Sequence, residues 1–215
     1  MASTGIAAKG STISIGTATG GANNITAVSL TNPCRVTLAS SIAGYSVGNV
    51  ITIAGITGTT QLNGNNYVIE YMEPANKIIS LAGVNALDYT AWSAGGTVTP
   101  VTLTQIKNVQ TFSGFDGSVT VHDVTDMDSP AKEFLAGIID EGGFSFECLL
   151  DNGDAGQLAI SAAKGAAAKT FKLILPNAKV ATFSGLVKKF NASGSVDGVV
   201  KRSCDIQISG LVVWS

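Results

Sequence analysis

One segment of this chain gathers side chains that could bind a metal ion. Asp123, Asp126 and Asp128 follow His122, the only histidine in the sequence. A calcium loop needs oxygen ligands at its first, third and fifth positions, glycine at the sixth and a bidentate acid at the twelfth. The residues that separate these acids do not follow that scheme. The sequence therefore predicts a structural or interface role for the cluster, and no metal site.

Catalytic chemistry is not indicated elsewhere. A Ser/His/Asp triad would have to run through His122, on a predicted strand. The glycine-rich stretch that ends at Gly20 and Gly21 lacks the lysine of a phosphate-binding loop. Asp140 and Glu141 are adjacent, so on a strand they point to opposite faces. We expect no catalytic residue, no cofactor and no enzyme activity.

The thiols are expected to be inert. Cys34, Cys148 and Cys204 are far apart in sequence and show no CxxC spacing. They indicate neither a disulfide framework nor a zinc site, and they fit a reducing cytoplasm. Cys34 lies in an apolar stretch with Arg35 beside it and no histidine. Nothing there lowers a thiol pKa, so Cys34 is predicted to be a core side chain.

Composition limits the fold class and the partners. The 215 residues are 45% hydrophobic and only 13% charged, with 25 glycines. This is typical of a folded, β-rich protein whose surface is covered, most simply by other copies of itself. The net charge of −2 gives no reason to expect nucleic-acid or membrane binding. No stretch reaches the roughly 18 apolar residues of a membrane helix, and Met1–Ile6 lacks signal-peptide features.

Charge density divides the chain. Residues 23–98, between the pairs Gly20-Gly21 and Gly95-Gly96, hold two bases and three acids in 76 residues. We expect this segment to be an inserted β decoration module, with the four glycines as its hinges. Residues 1–22 and 99–215 then form one discontinuous host domain.

The sequence of the module predicts five or six short strands separated by Asn-Gly and Pro-Asn turns. It is predicted to be a small barrel or sandwich. In the host domain, alternation predicts half-buried strands, with Phe144, Phe146 and Cys148 on one face. One packed helix begins at an Asp154 N-cap. Its buried stripe is predicted to be Ala155, Leu158, Ala159, Ala162, Ala163 and Ala166. The residues between Val124 and Phe144 are expected to form a proline-broken loop.

The charges of the host domain are segregated along the chain. From Asp116 to Asp154 there are ten acids and one base, whereas from Lys164 to Arg202 there are eight bases and one acid. Such polarity suits a head-to-tail interface in which the acidic surface of one copy meets the basic surface of the next. The alternative is that both sets are solvated faces of one monomer.

Longer stretches resemble known families. "ITAVSLTNPCRVTLAS" with "GNVITIAGITGTTQLNGNNYVIEYM" resembles a small β module of bacteriophage structural proteins, and its pattern is similar to the first catalytic-cysteine half-domain of ubiquitin-activating enzymes. In the host domain, "VTDMDSPAKEFLAGIIDEGGFSF", "DNGDAGQ" and "DIQISGLVVW" occur in the order found in tail tube proteins of long-tailed, non-contractile bacteriophages. The 76-residue insertion is the departure from that family.

The tail tube resemblance implies a β-sandwich flanked by a helix. It implies six copies in a ring, and rings stacked into a hollow tube through which phage DNA leaves without specific binding. Its partners would be the tape measure, tail terminator and tail tip proteins, and its place the virion after assembly in the bacterial cytoplasm. Contacts between subunits or rings are expected in the loop before the helix, at Asp123, Asp126, Asp128, Lys132, Glu133 and Phe134. Acidic or neutral side chains are expected to line the channel.

Two other functions remain open from the sequence. A two-domain adhesin or carbohydrate-binding protein is possible in principle, although the module's five aromatic residues are spread along it and form no cluster. A tube protein of a secretion system is the other alternative.

Overall fold

The computed structural model describes residues 5–214, apart from the side chains of Ala18 and Thr19. The first four residues of the predicted host domain therefore lie outside the described part. The fold is mainly β, as the sequence predicted, with antiparallel strands and one α-helix in the described range. The strands are β1 (Thr12–Thr19), β2 (Asn23–Ser29), β3 (Arg35–Leu38), β4 (Val50–Thr57), β5 (Asn66–Glu73), β6 (Ile78–Leu81), β7 (Ala94–Ile106), β8 (Val109–Gly114), β9 (Ser118–Asp123), β10 (Phe134–Asp140), β11 (Gly143–Leu149), β12 (Lys169–Ile174), β13 (Val180–Ser193) and β14 (Lys201–Trp214). The helix, α1, spans Ala155–Ala163, and short 3-10 turns occur at Thr60–Leu62 and Pro74–Asn76.

The described residues divide into two compact units. The first contains residues up to 105, together with 170–182 and 213–214. The second contains residues 106–169 and 183–212. The units do not follow the predicted domain boundaries, because β1 and β12 belong to the same unit as residues 23–98.

Six strands of the first unit close into a barrel. The order β2-β3-β6-β5-β4-β7 is completed by a short pairing of β2 with β7. In this ring Val98 of β7 lies opposite Ile53 on one side and Asn23 on the other. The barrel interior is a core of β-branched and aliphatic side chains, and its members all fall between Ile25 and Val98. The alternating apolar residues of these strands produce such an interior because successive side chains point to opposite faces.

Of the predicted hinge glycines, Gly20 and Gly21 precede the first barrel strand, whereas Gly95 and Gly96 lie within the last one. Gly20 and Gly21 connect β1 to β2, and the Gly20 N–H donates to the Pro100 carbonyl at 2.7 Å. Gly95 and Gly96 lie at the start of β7 with φ of 70° and 99°. A Cβ on Gly96 would lie 2.5 Å from Cγ1 of Ile56, so this position packs closely against the barrel core. A hinge role for these glycines stays a prediction.

The first unit also contains the pair formed by β1 and β12. Their antiparallel register places Ile13 opposite Leu173 and Ile15 opposite Phe171. All four side chains are buried. Residues about 160 positions apart in the chain thus form one buried layer.

In the second unit, β13, β14, β11 and β8 follow one another in an antiparallel sheet. Phe144 and Phe146 are 1% and 2% exposed, and Cys148 is fully buried, so the predicted alternation of β11 is confirmed. The Phe144 ring centroid lies 5.2 Å from that of Phe183 and 5.3 Å from that of Phe115. This aromatic cluster is the centre of the unit's core.

The helix begins where the sequence predicted and buries a different face. Asp154 caps it by accepting a hydrogen bond from the Gln157 N–H at 2.9 Å. The buried residues of α1 are Gly156, Gln157, Ile160 and Ala163, so of the predicted alanine stripe only Ala163 is fully buried. The reason is a hydrogen bond: the Gln157 side-chain amide donates to the Leu149 carbonyl at 2.8 Å. This bond places the helix face that contains Gln157 on the buried side.

Two other expectations on local structure are wrong. Residues 101–111, whose pattern predicts one continuous strand, are instead divided between β7 and β8, and Asn108 between them adopts a φ of 59°. Asparagine tolerates this left-handed conformation better than most residues. In addition, the expected loop before Phe144 contains strand β10.

Candidate functional site

The most unusual element of the second unit is the hairpin of β9 and β10, which we call the arm (residues 118–140). Its strands pair only with each other among the described residues, as a separate two-stranded sheet. The register runs from Asp123 opposite Phe134 to Ser118 opposite Asp140, with an irregularity between Ala136 and Ile139. A two-stranded hairpin is at best marginally stable in water when nothing covers it. The arm is therefore expected to be stabilised by contact with another surface.

One face of the arm is uncovered and mostly apolar, apart from Asp123 opposite Phe134, and Leu135 is exposed on the other face. Residues directly opposite each other in an antiparallel pair share a face. Val121 faces Ala136, and Val119 faces Ile139, on the same side as Phe134. The exposed fractions are 45% for Val119, 58% for Val121, 58% for Phe134 and 54% for Ile139. A contiguous apolar stripe of this kind is typical of an interaction surface.

The loop at the end of the arm is held by its own side chains. The Asp123 carboxylate accepts hydrogen bonds from the N–H and hydroxyl of Thr125, which lower its pKa. Asp126 Oδ1 accepts the Asp128 N–H and the Ser129 hydroxyl, each at 3.0 Å. Such bonds stabilise turns because they replace backbone bonds that the loop lacks. These two acids therefore shape the loop.

The six residues predicted to make contacts between copies all belong to the arm. The Lys132 amine lies 4.0 Å from the Asp123 carboxylate, both largely exposed. Asp128 and Glu133 are exposed, and within the described residues their carboxylates accept no hydrogen bond. No group of three His, Cys, Asp or Glu side chains in residues 5–214 is placed to hold a metal ion. Contact with another copy remains a prediction.

The base of the arm is tied to the sheet. Asp116 Oδ1 accepts the Gly143 N–H at 3.0 Å, a bond that lowers the pKa of this carboxyl group. The Phe115 N–H donates to the Gly143 carbonyl at 3.0 Å. A Cβ on Gly142, whose φ is 73°, would clash with the same Asp116 oxygen. Glycine is thus required at the point where the arm rejoins β11.

A second exposed hairpin end, which sequence reasoning missed, lies where β13 turns into β14. We call residues 188–202 the basic tip. Its loop exposes Val196 at 102% and Val199 at 67%. Lys188, Lys189, Lys201 and Arg202 flank the loop, and Arg202 lies over the Phe190 ring at 4.8 Å. The charge count identified the basic segment, but the sequence around Val196 and Val199 gave no sign that these valines are exposed.

The sheet of the second unit carries a polar face opposite its aromatic core. Ser113 faces Ser145, which in turn faces Asp205 across β11 and β14. The hydroxyls of Ser113 and Ser145 are 2.9 Å apart. A shallow groove of about 350 Å³ lies over this row, with Lys188 and Gln207 at its side. Small hydroxyl and mixed charged groups give it no strong charge of either sign.

Strand β8 forms the edge of this sheet. It pairs with β11, and no other described strand pairs with it. Its sequence, VQTFSG, contains no charged residue and no proline. Sheet edges usually carry such residues because they prevent further strand pairing. The edge of β8 is therefore open to another strand.

The thiols are buried as predicted. Cys34, Cys148 and Cys204 are each 0% exposed and free. Burial raises the pKa to about 11 for Cys34 and Cys148, and to about 12 for Cys204. At neutral pH these thiols are protonated and unreactive.

One short sequence, Gly44–Gly48, has the Gly-x-Ser-x-Gly form of a hydrolase nucleophile turn. That turn joins a strand to a helix. Here Ser46 lies in an exposed turn between β3 and β4, two strands of the barrel. The element that presents such a nucleophile is absent at this position.

No helix of the described chain is both long and apolar enough to span a bilayer.

No protein-family model matches the sequence, and no curated protein matches it either. Among solved structures, a chain from the tail of an empty GTA particle with C6 symmetry is 16% identical, with a TM-score of 0.45. That match covers 53% of this chain and 86% of the other. A chain from the anti-feeding prophage baseplate is 11% identical over 53% of this chain and 84% of the other, with a TM-score of 0.43. Scores this low do not establish a shared fold.

Proposed function

We propose that this protein is a structural subunit of a phage tail that assembles with copies of itself, as a tail tube protein does. The observation that carries the proposal is the uncovered apolar face of the arm. The arm overlaps residues 124–140 of the stretch "VTDMDSPAKEFLAGIIDEGGFSF", one of the three stretches on which the tail tube resemblance rests. The other two stretches correspond to the cap of α1 and to β14.

The arm supplies energy for assembly. Complete burial of a valine, isoleucine or phenylalanine contributes about 1.5–3 kcal/mol, so covering side chains that are half exposed contributes roughly half of that each. Val119, Val121, Phe134 and Ile139 together would then stabilise a contact by several kcal/mol. In a monomer these side chains stay exposed to water and do not contribute this stabilisation.

The open edge supports a closed ring of copies. A strand of a neighbouring copy that pairs with β8 would continue the sheet, and such a head-to-tail contact closes when the rotation between copies fits. The tail tube resemblance gives the number as six. Stacking of rings would then produce the hollow tube.

The polar face of the second unit suits the inner wall of such a tube. Clustered lysines would bind DNA phosphates strongly through counterion release, whereas acids repel phosphates and neutral hydroxyls add no such charge attraction. The row of Ser113, Ser145 and Asp205, with Glu147 on the same face and Lys188 beside it, presents few cations. DNA would pass this surface without specific binding.

Residues 23–98 would stand on the outside as a decoration module. They contain the whole set of barrel core residues, so this segment buries its own apolar side chains. Six copies of a 76-residue module inside the ring would obstruct the channel. The tape measure, tail terminator and tail tip proteins would be the other partners, in a virion assembled in the bacterial cytoplasm.

Negative-stain electron microscopy of the purified protein at high concentration tests the proposal. We expect long hollow tubes from the natural protein. Val121→Asp should abolish them, because a carboxylate on the apolar face opposes its burial. Leu87→Asp, at a barrel residue that is 61% exposed, is the matched control and should leave tubes intact. Discrete monomers at every concentration, especially with affinity for glycans, would favour the binding-protein alternative.

A further inference from the structure

We propose that the apolar face and acidic loop of the arm dock on the basic tip of a neighbouring copy. This inference rests on the proposed self-assembly and names the two surfaces that meet. Both belong to the second unit, and both are hairpin ends that project apolar side chains into solvent. The occupant of the arm is thus a second copy of this chain.

The charges of the two surfaces are opposite. The arm and its base, residues 116–141, contain seven acids and one lysine. The basic tip contains Lys189, Lys201 and Arg202, besides Lys188 at the side of the groove, against Asp197 alone. Opposite charges at such surfaces speed the encounter of two copies and disfavour contact between like surfaces.

Within one copy these charges stay largely unpaired. Among the described residues the one ion pair is Lys132 with Asp123, which lies inside the arm itself. Lys189 and Lys201 are exposed and have no partner in the described range, while Lys188 reaches only Gln207 at 3.5 Å. Asp128 and Glu133 of the arm, and Lys189 and Lys201 of the tip, are therefore available to another molecule.

The apolar parts also complement each other. The arm exposes Val119, Val121, Phe134 and Ile139 in one stripe, and the tip exposes Val196, Val199 and Val200. An interface with apolar side chains at its centre and charges at its rim has the usual anatomy of a specific protein contact. A contact between two arms, or between two tips, would instead place like charges together.

A charge-exchange experiment tests the inference. Asp128→Lys with Glu133→Lys changes two exposed carboxylates that accept no hydrogen bond among the described residues, so the arm should keep its structure. Lys189→Glu with Lys201→Glu changes the tip. We expect each pair of substitutions to slow assembly about tenfold or more at low salt, measured by light scattering and microscopy. All four substitutions together should restore the rate. Asp88→Lys with Glu70→Lys, two exposed barrel acids, is the matched control and should have little effect.

The outcomes separate this inference from the proposed function. The docking of arm on tip would be overturned, and self-assembly would stand, in either of two cases. In the first, the natural protein forms tubes and neither pair of substitutions slows their assembly. In the second, the fourfold variant does not restore the assembly that the pairs have lost. Absence of tubes from the natural protein under every condition would overturn both. Circular dichroism and a cooperative thermal transition in each variant check that none is unfolded.

Discussion

At the scale of single residues, the thiols are buried, and several charged side chains that form no ion pair or hydrogen bond among the described residues are exposed. The three thiols are buried in the two cores, whereas Asp128, Glu133, Lys189 and Lys201 face solvent. Such a division suits a protein whose surface serves for contact and whose interior only packs. We expect the buried thiols also to make the folded state less stable at alkaline pH.

We expect the free energy of unfolding to fall between the ordinary thiol pKa of 9.0 and about 11. In this window the unfolded chain releases thiol protons that the folded chain retains, so rising pH favours unfolding. Below the unfolded value the contribution of these groups is complete. Urea unfolding at a series of pH values should show a loss of more than about 1.4 kcal/mol, the equivalent of one pKa unit. A smaller loss in Cys204→Ala would assign part of it to that thiol, and a flat profile would contradict the burial.

At the scale of elements, the sequence predicted the buried face of strand β11 but not that of helix α1. Phe144, Phe146 and Cys148 alternate with polar residues, and period-two alternation leaves one choice of buried face. In α1, alanines at helical spacing matched a buried stripe just as well as the true face does. The hydrogen bond from Gln157 to the Leu149 carbonyl decides between them, and no local pattern contains that tertiary contact.

Strand β10 was missed for a related reason. Ala136 and Gly137 have low strand propensity, and the irregular register near them interrupts alternation. The pairing with β9 depends on residues more than ten positions away. All six predicted contact residues nevertheless lie on this hairpin, since their charge and position in the chain were visible in the sequence.

The cap of α1 provides a prediction at this scale. Asp154→Ala should destabilise the protein by about 2 kcal/mol, at the upper end of the range for N-caps. The Asp154 carboxylate is buried and also accepts the Lys107 N–H at 3.3 Å, so its loss leaves two donors without a partner. Urea unfolding measures the change. Asp154→Asn retains an acceptor and should cost much less; an equal loss in both variants would show that the carboxylate charge, and not the cap, is what matters.

At the scale of the whole molecule, the barrel has the features of a separable part. Its core residues lie within one stretch of chain, and the Gly20 N–H donates to Pro100 at 2.7 Å, so the two ends of that stretch are close together. Short distances between chain ends are typical of tolerated insertions. Two side-chain hydrogen bonds also tie the barrel to β12, from Asn66 to Thr170 and from Lys172 to Gly48.

Deletion of residues 23–98 should leave a protein that still assembles. We expect tubes of smaller outer diameter, because the removed segment is proposed to lie outside. The two lost hydrogen bonds to β12 should lower stability by about 1–3 kcal/mol in total. Microscopy of the deletion variant gives the diameter. If the variant folds, as judged by a cooperative unfolding transition, but forms no tubes, the barrel belongs to the assembly interface.

The pairing of β1 with β12 has a consequence for synthesis on the ribosome. The barrel is complete once β7 has emerged, and its strands contact near neighbours in the chain. β1 leaves the ribosome first but finds its partner only when Lys169–Ile174 has been made. Contacts between distant residues form late in folding. The barrel would therefore be folded while Ile13 and Ile15 are still exposed to solvent. In a growing chain the barrel is therefore complete before the pairing of β1 with β12 can begin.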